Sequence, residues 1–489
     1  MTDDFDVKLD SLVNELPPAS NAAQMVNPWK SALYKALAGI CLTLIEIKVP
    51  VLEHVLPVLG AIFLVLGTRS LRSENKAFRA CYVISVIKLV VLACVMVFRS
   101  TVLNIMDTAE ELRIPLAVFG VVSTLLFLVF FRVGIVDVRR KVGFDGGAGS
   151  SMALIIWYVI ICVMAALGVS DGILVWAMLA VYVLIMVSVV ALAKSIDGAG
   201  YAIAPAEVRV SDNSAAVIII AVIVTGVAVG NIFFSKLPMH WEKADLTPSA
   251  SAEITDRLKE LGFPEMVLKD LSYEDLEECR GADMVMIGSN YNSSKKGNRS
   301  YSNDLVIGAE GECVTAVISV RIPDGGSYKW FIVDYFYWNG EARFYGNELM
   351  WLVPIYNRGW FTCTRPPETG RVFCEINGET LTSDYYYAGE KTIQTNSIFS
   401  SGQEETLNTA IWSFPSKVKN ARGYITYTAV IDAQRRVTEN SLINYYHQKG
   451  PINYPLKTVL NTGDAYLLGD SPFVLFNDVV THNTQGLIW

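Results

Sequence analysis

Charge is what this 489-residue sequence has least of: Asp, Glu, Lys and Arg make up 18% of it, against 52% hydrophobic residues. A soluble domain is about a quarter charged. The shortfall lies before Ser235, and the remainder has ordinary soluble composition. A basic excess is missing too. The net charge is −8 with no Lys/Arg run longer than Arg139–Lys141, which argues against a nucleic-acid partner, because such a partner needs a basic surface. Histidine is scarce, at four residues: His54, His240, His447 and His482. No H-E-x-x-H or G-x-x-x-x-G-K-[ST] stretch occurs, so the chemistries those motifs support have no anchor here. No Cys-x-x-Cys spacing supports a metal site, and neither metal nor cofactor is expected. Residues 1–30 are polar and acidic and lack the basic start and small-residue cleavage site of a signal peptide. They read as a cytoplasmic tail, with insertion through an internal segment.

Long apolar runs are what the sequence does have. A span needs about 20 mostly apolar residues. Ala77–Phe98, Pro115–Phe131, Met152–Gly168, Gly172–Ala193 and Ala215–Phe234 qualify. Ala32–Ile47 and Val51–Gly67 are shorter and are separated by Pro50; they read as a hairpin that crosses twice. The expectation is a seven-helix transmembrane domain over residues 31–235. Arg69, Arg72, Lys76, Arg79, Arg132, Arg139, Arg140, Lys141, Lys194 and Arg209 fall in connections on one side. Arg99 and Arg113 lie on the other, beside Asp107, Glu110 and Glu111. Basic loops face the cytoplasm, so the amino terminus is expected inside and everything after Phe234 outside. The cytoplasmic loops are too short to form a nucleotide-binding domain.

Ionisable residues within a span are costly and become functional candidates by default. Lys88 sits mid-span in ISVIKLVVLACV, and Glu46, Glu53 and His54 could face it from the hairpin. Such a cluster would either tie helices together or line an ion path. Gly226 and Gly230 form a GxxxG spacing that permits close helix approach.

Residues 236–252 read as a linker and 253–282 as a helical neck, where Ser272 and Asp275 match a capping box. From 283 to 489, short runs rich in Val, Ile, Tyr, Phe and Trp alternate with turn residues. That spacing predicts an extracytoplasmic, mainly β domain, an antiparallel jelly-roll-like sandwich. Cys279, Cys313, Cys363 and Cys374 are an even number in an oxidising compartment. A hairpin turning between Glu368 and Thr369 would set Cys363 opposite Cys374 within disulfide reach. Cys279–Cys313 then follows by elimination.

Aromatics are concentrated in KWFIVDYFYW, and Tyr385, Tyr386 and Tyr387 are consecutive. Neighbours on a strand point to opposite faces. Trp330, Tyr335, Tyr337, Trp338 and Tyr386 could therefore form a platform for a sugar or a partner strand; packing is the alternative. Glu310, Glu312, Asp334, Glu348 and Glu375 are the outer carboxylates that a hydrolase would have to pair. In domain arrangement alone the chain resembles bacterial seven-helix sensors with outer ligand-binding domains, with the outer domain placed last. The reading is a cell-surface binding or sensing protein in the bilayer. It would engage a carbohydrate, an envelope polymer or a membrane protein partner. A transporter with an outer cap is the alternative, and an outer-surface hydrolase a third.

Overall fold

The computed structural model describes residues 28–44, 52–104, 108–144, 147–169, 172–199, 206, 208–246, 252–292, 299–302, 305, 309–325, 327–353, 362–397, 400–432, 438–450 and 473–483. The chain divides into two compact units. The helical unit comprises Met1–Val97, Asp107–Val227 and Ile398–Ser401, and the β unit comprises Phe98–Met106, Ala228–Ser397 and Gly402–Trp489.

The apolar runs fold as α1 (Pro28–Leu44), α2 (Leu52–Leu71), α3 (Lys76–Arg99), α4 (Thr108–Lys141), α5 (Gly149–Ala166), α6 (Gly172–Gly198) and α7 (Asp212–Phe233). Six of these, α2 to α7, are long and apolar enough to cross a membrane, so the chain is a multi-pass membrane protein with six candidate spans among the described residues. The described part of α1 is 17 residues long, and residues 45–51 of the expected hairpin lie outside the described residues. Helix α1 packs along α2, where glycine permits close approach. A Cβ on Gly39 would lie 2.6 Å from the Leu64 nitrogen, and one on Gly67 2.5 Å from the Ala36 nitrogen. The outward faces are apolar: Ile173 is 83% and Leu184 68% exposed, as residues facing lipid would be.

Charged groups of the helical unit gather at helix ends. Asp212, at the start of α7, accepts from both Lys35 of α1 and Arg69 of α2. Arg69 also donates to the Val210 carbonyl at 3.1 Å. Lys30 lies 3.7 Å from Asp197 near the end of α6. Lys141 at the end of α4 meets Glu74 at 2.8 Å and Asp137 at 3.2 Å. Asn75 caps α3 by accepting from the Phe78 N–H at 2.8 Å. Four helices, an even number, separate Arg69 from Asp212. Their meeting is what four full crossings would produce.

The β unit holds two antiparallel sheets among the described residues. The larger comprises β1 (Glu242–Lys243), β2 (Met284–Asn292), β3 (Arg299–Ser302), β4 (Cys313–Asp324), β5 (Ser327–Trp338), β6 (Glu341–Arg343), β8 (Thr362–Ile376), β9 (Glu379–Asp384) and β12 (Lys417–Asp432). The smaller comprises β7 (Glu348–Val353), β10 (Tyr387–Ser397), β11 (Ser400–Trp412), β13 (Thr438–Gln448) and β14 (Phe473–Asn483). Alternation along β5 divides its side chains between two cores. Trp330, Ile332, Phe336 and Trp338 join Met350, Leu352, Trp412 and Tyr445 of the smaller sheet. Phe336 stacks on Trp412 at 5.1 Å and on Tyr445 at 4.7 Å. Phe331, Val333 and Tyr335 face the neck helices α8 (Ala252–Glu260), α9 (Glu265–Leu268) and α10 (Tyr273–Glu278), packing with Leu258, Val267 and Leu276.

Two segments from outside the expected β region are built into this unit. The stretch expected as a linker is ordered over 235–246: Leu237 is buried, its N–H donates to Ser413 Oγ at 3.0 Å, and β1 pairs with β9. The connection after α3 also enters, because Val102 joins Leu237, Leu349, Trp351, Ile411 and Tyr446 in one cluster. The Val102 N–H donates to the Phe234 carbonyl at 2.9 Å.

The cysteine expectation is corrected. Cys279, Cys313 and Cys374 are free thiols, so neither Cys279–Cys313 nor Cys363–Cys374 forms; the Cys363 side chain lies outside the described residues. Strand β8 runs unbroken past the supposed turn. The residues around Pro366 and Pro367 are absorbed in a register shift of β8 against Tyr427 rather than in a turn, an irregularity where proline need not donate to the ladder. The hairpin reverses at Asn377 (φ 54°) and Gly378 (φ 84°), the two-residue turn that Asn-Gly favours. Cys374 is therefore the register partner of Leu381, and Cys363 that of Ala429 on β12.

Candidate ligand-binding cavity

A short polar sequence at the start of α10 sets up a cavity in the β unit. The expected capping box forms: Ser272 Oγ accepts from the Asp275 N–H at 3.1 Å, and Asp275 Oδ2 accepts from the Ser272 N–H at 3.3 Å. Asp275 is then claimed by the sheet. Tyr424 Oη donates to it at 2.9 Å and Thr426 Oγ1 at 3.1 Å. Gly370 of β8 allows the strands to close here, since a Cβ would lie 2.1 Å from the Tyr424 carbonyl. Tyr385 Oη donates to that same carbonyl at 2.9 Å. Burial pushes the phenols of Tyr385 and Tyr424 up, with each other's or Asp275's charge adding, so both remain protonated donors at neutral pH.

Between these elements lies a cavity of about 420 Å³, within the ~300–1,000 Å³ range of small-molecule sites. Helix α10 contributes Ser272, Glu274 and Asp275 to its wall; β8 contributes Thr369 and Arg371; Asp384, Tyr385 and Tyr424 complete the polar lining. Arg371 and Asp384 are register partners on β8 and β9. No ion pair joins them among the described residues. The side chains of Arg371, Asp384 and Glu274 make no hydrogen bond among the described residues, although the Asp384 carbonyl accepts from Ser383 Oγ at 3.0 Å. The lining carries three carboxylates and one guanidinium, and only Asp275 among them is saturated from within.

Two buried polar constellations flank the cores. Arg422 Nε donates to Asp270 at 2.8 and 3.1 Å, and Tyr335 Oη donates to Asp270 at 3.0 Å. Burial pushes the Asp270 carboxyl up, with the guanidinium opposing the shift. In the other, Glu348 is fully buried and accepts from Tyr445 Oη at 2.6 Å; His447 Nδ1 lies 3.0 Å away, and Trp338 Nε1 donates to Tyr445 Oη at 3.0 Å. Both hold layers together: the first pins the neck to the larger sheet, the second links β5, β7 and β13.

The expected ring platform is not open. Trp330 is fully buried, Tyr335 is 1% and Trp338 6% exposed, because the larger sheet is covered on both faces. Tyr337, half-buried, donates to Asn420 Oδ1 at 3.2 Å, and Tyr386 packs against the Val102 cluster. Lys88 donates to Thr124 Oγ1 of α4 at 2.6 Å. No ion pair joins it to Glu53 or His54 among the described residues; those two neighbour each other, with His54 Nε2 3.4 Å from Glu53 Oε1. Glu46 lies outside the described residues. Residue reasoning missed Arg371, Glu274 and Asp384. The signal for Arg371 and Asp384 was present, since both sit six residues from the Asn377–Gly378 turn. No protein-family model matches the chain, and no curated protein matches it in sequence.

Proposed function

We propose that this chain is a membrane-embedded binding or sensing protein that takes a small polar ligand in the cavity of its β unit. The observation carrying this reading is that cavity: an open cleft between α10, β8, β9 and β12, lined by protonated phenols and by the charged side chains of Arg371, Glu274 and Asp384. The shared core of the two sheets supports a jelly-roll-like sandwich. The basic residues at the ion-paired helix ends favour that end as cytoplasmic, with the β unit extracytoplasmic in a cell membrane. Coupling inward would run through the two helix-borne segments of the β unit, Phe98–Met106 and Ala228 onward, to a membrane protein partner. Buried rings weigh against a stacked carbohydrate polymer. The Lys88–Thr124 bond is that of a helix tie, which weighs against transport.

The test is a thermal-shift screen of small polar metabolites against the full chain in nanodiscs, alongside Ala388→Trp, which fills the cavity because Ala388 is part of its wall. Compounds that stabilise the natural protein and not the variant are expected. A screen with no such compound rejects the reading.

A further inference from the structure

The charge pattern of the cavity narrows its ligand to one chemical class, an inference that rests on the cavity being a ligand site. Arg371 is half-buried on β8, and Asp384 stands at its register partner position on β9. Directly opposed residues on neighbouring strands lie about 4.5–5.5 Å apart at their Cα atoms, close enough for these two side chains to pair. No ion pair joins them among the described residues: the Arg371 guanidinium acts through space on Asp270 and Tyr424, and Asp384 is exposed. Glu274 on the α10 wall is exposed as well. A half-buried guanidinium beside two exposed carboxylates that make no ion pair among the described residues offers a place for both signs of charge.

Single-charge ligands fit this lining poorly. An anion that reached Arg371 would face Glu274, Asp275 and Asp384, three carboxylates against one cation. A cation would satisfy the carboxylates and leave the guanidinium unmatched. A molecule with an ammonium and a carboxylate a few bonds apart satisfies both. The guanidinium offers a planar fork to a carboxylate, while Glu274 and Asp384 receive the ammonium. The phenol of Tyr385 and the hydroxyls of Ser272 and Thr369 supply neutral contacts around them. At about 420 Å³ the space suits a single amino acid or a very short peptide, not a polymer. We infer that the cavity takes a small zwitterion of the amino-acid class, its carboxylate on Arg371 and its ammonium between Glu274 and Asp384.

The experiment uses the full chain in nanodiscs and three matched probe sets: the twenty amino acids, their decarboxylated amines, and their N-acetyl forms. Binding is read by thermal shift and confirmed by calorimetry, for the natural protein, Arg371→Gln, Glu274→Gln/Asp384→Asn and Ala388→Trp. At least one amino acid should bind at least tenfold more tightly than its amine and its N-acetyl form. Arg371→Gln should remove its advantage over the amine, and the double variant its advantage over the N-acetyl form. Near-UV circular dichroism matching the natural protein verifies that the variants fold. Amines binding as tightly as amino acids, unaffected by Arg371→Gln but lost in Ala388→Trp, would overturn the zwitterion and leave the cavity as a cation site. If none of the sixty probes bind while other metabolites bind in an Ala388-dependent way, the zwitterion falls and the binding reading stands. Amino acids that bind equally well to Ala388→Trp would sink both.

Discussion

The two units of this chain put their charges in opposite places. The helical unit keeps its ion pairs, Lys35 and Arg69 on Asp212 and Lys141 on Glu74, at helix ends and turns apolar side chains outward. The β unit turns its largest rings inward and keeps Asp270–Arg422 and Glu348–His447 in its interior. The difference follows from the solvent. Lipid does not reward hiding apolar surface, so helix association relies on close packing and on polar ties where water is near. In water the hydrophobic effect assembles the layers, and interior polar groups decide how one layer sits on another. The neck docks where Asp270 meets Arg422 and Asp275 meets Tyr424.

Removing one side of an interior pair should therefore have the largest effect. Asp270→Ala strands Arg422 and is expected to cost about 3–5 kcal/mol, read as a lowered unfolding midpoint in denaturant. Asp270→Leu with Arg422→Met, which removes both charges, should recover most of that loss; a double variant no better than the single one would show that the pair acts through shape alone. Gly67→Ala comes next. Its Cβ would meet the Ala36 nitrogen at 2.5 Å, and overpacking of this kind costs about 1–3 kcal/mol. Thermal melting in detergent checks it, and an unchanged melt would mean that close packing does not hold the α1–α2 hairpin.

A smaller effect should appear only as pH dependence. Burial lowers the Lys236 ammonium from 10.5 to about 8, with Glu348 partly opposing. A depressed lysine makes the unfolded chain bind the extra proton between those values, so stability should rise with pH from about 8 to 10.5. Lys236→Met should flatten that rise in a series of denaturant titrations; an identical slope would assign it to another group. The smallest change is expected for Lys88→Met, because interhelical hydrogen bonds in membranes average about 0.6 kcal/mol. A large loss of stability, or altered ion flux in vesicles, would break the reading of Lys88 as a tie to Thr124.

The helices were legible because a run of about 20 apolar residues is a local signal; six of the seven expected spans are candidate spans among the described residues. Strand content was legible too. Strand pairing was not, because partners in a sheet are distant in sequence. Placing a hairpin at Glu368–Thr369 rather than at Asn377–Gly378 moved Cys374 away from Leu381 and hid the Arg371–Asp384 pair. Alternation in β5 correctly implied rings on both faces. That a second sheet and three neck helices would cover them is written in residues up to about 100 positions away, beyond the reach of any local pattern. The cavity shares that limit: Glu274 and Arg371 lie far apart in the chain and meet only through the fold.

The place of Val102 in the β unit constrains how the protein is made. Its companions Leu237, Trp351 and Tyr446 come later in the chain, with four candidate spans between it and the first of them. A ribosome adding about 5–20 residues per second needs roughly 17–70 s to go from Val102 to Tyr446. Under the proposed topology the segment around Val102 has crossed throughout that interval, with no apolar cluster to receive it. Biogenesis therefore has a step late in synthesis at which an early loop is captured by a late domain. An inserted chain truncated before β13 should leave that loop open to protease.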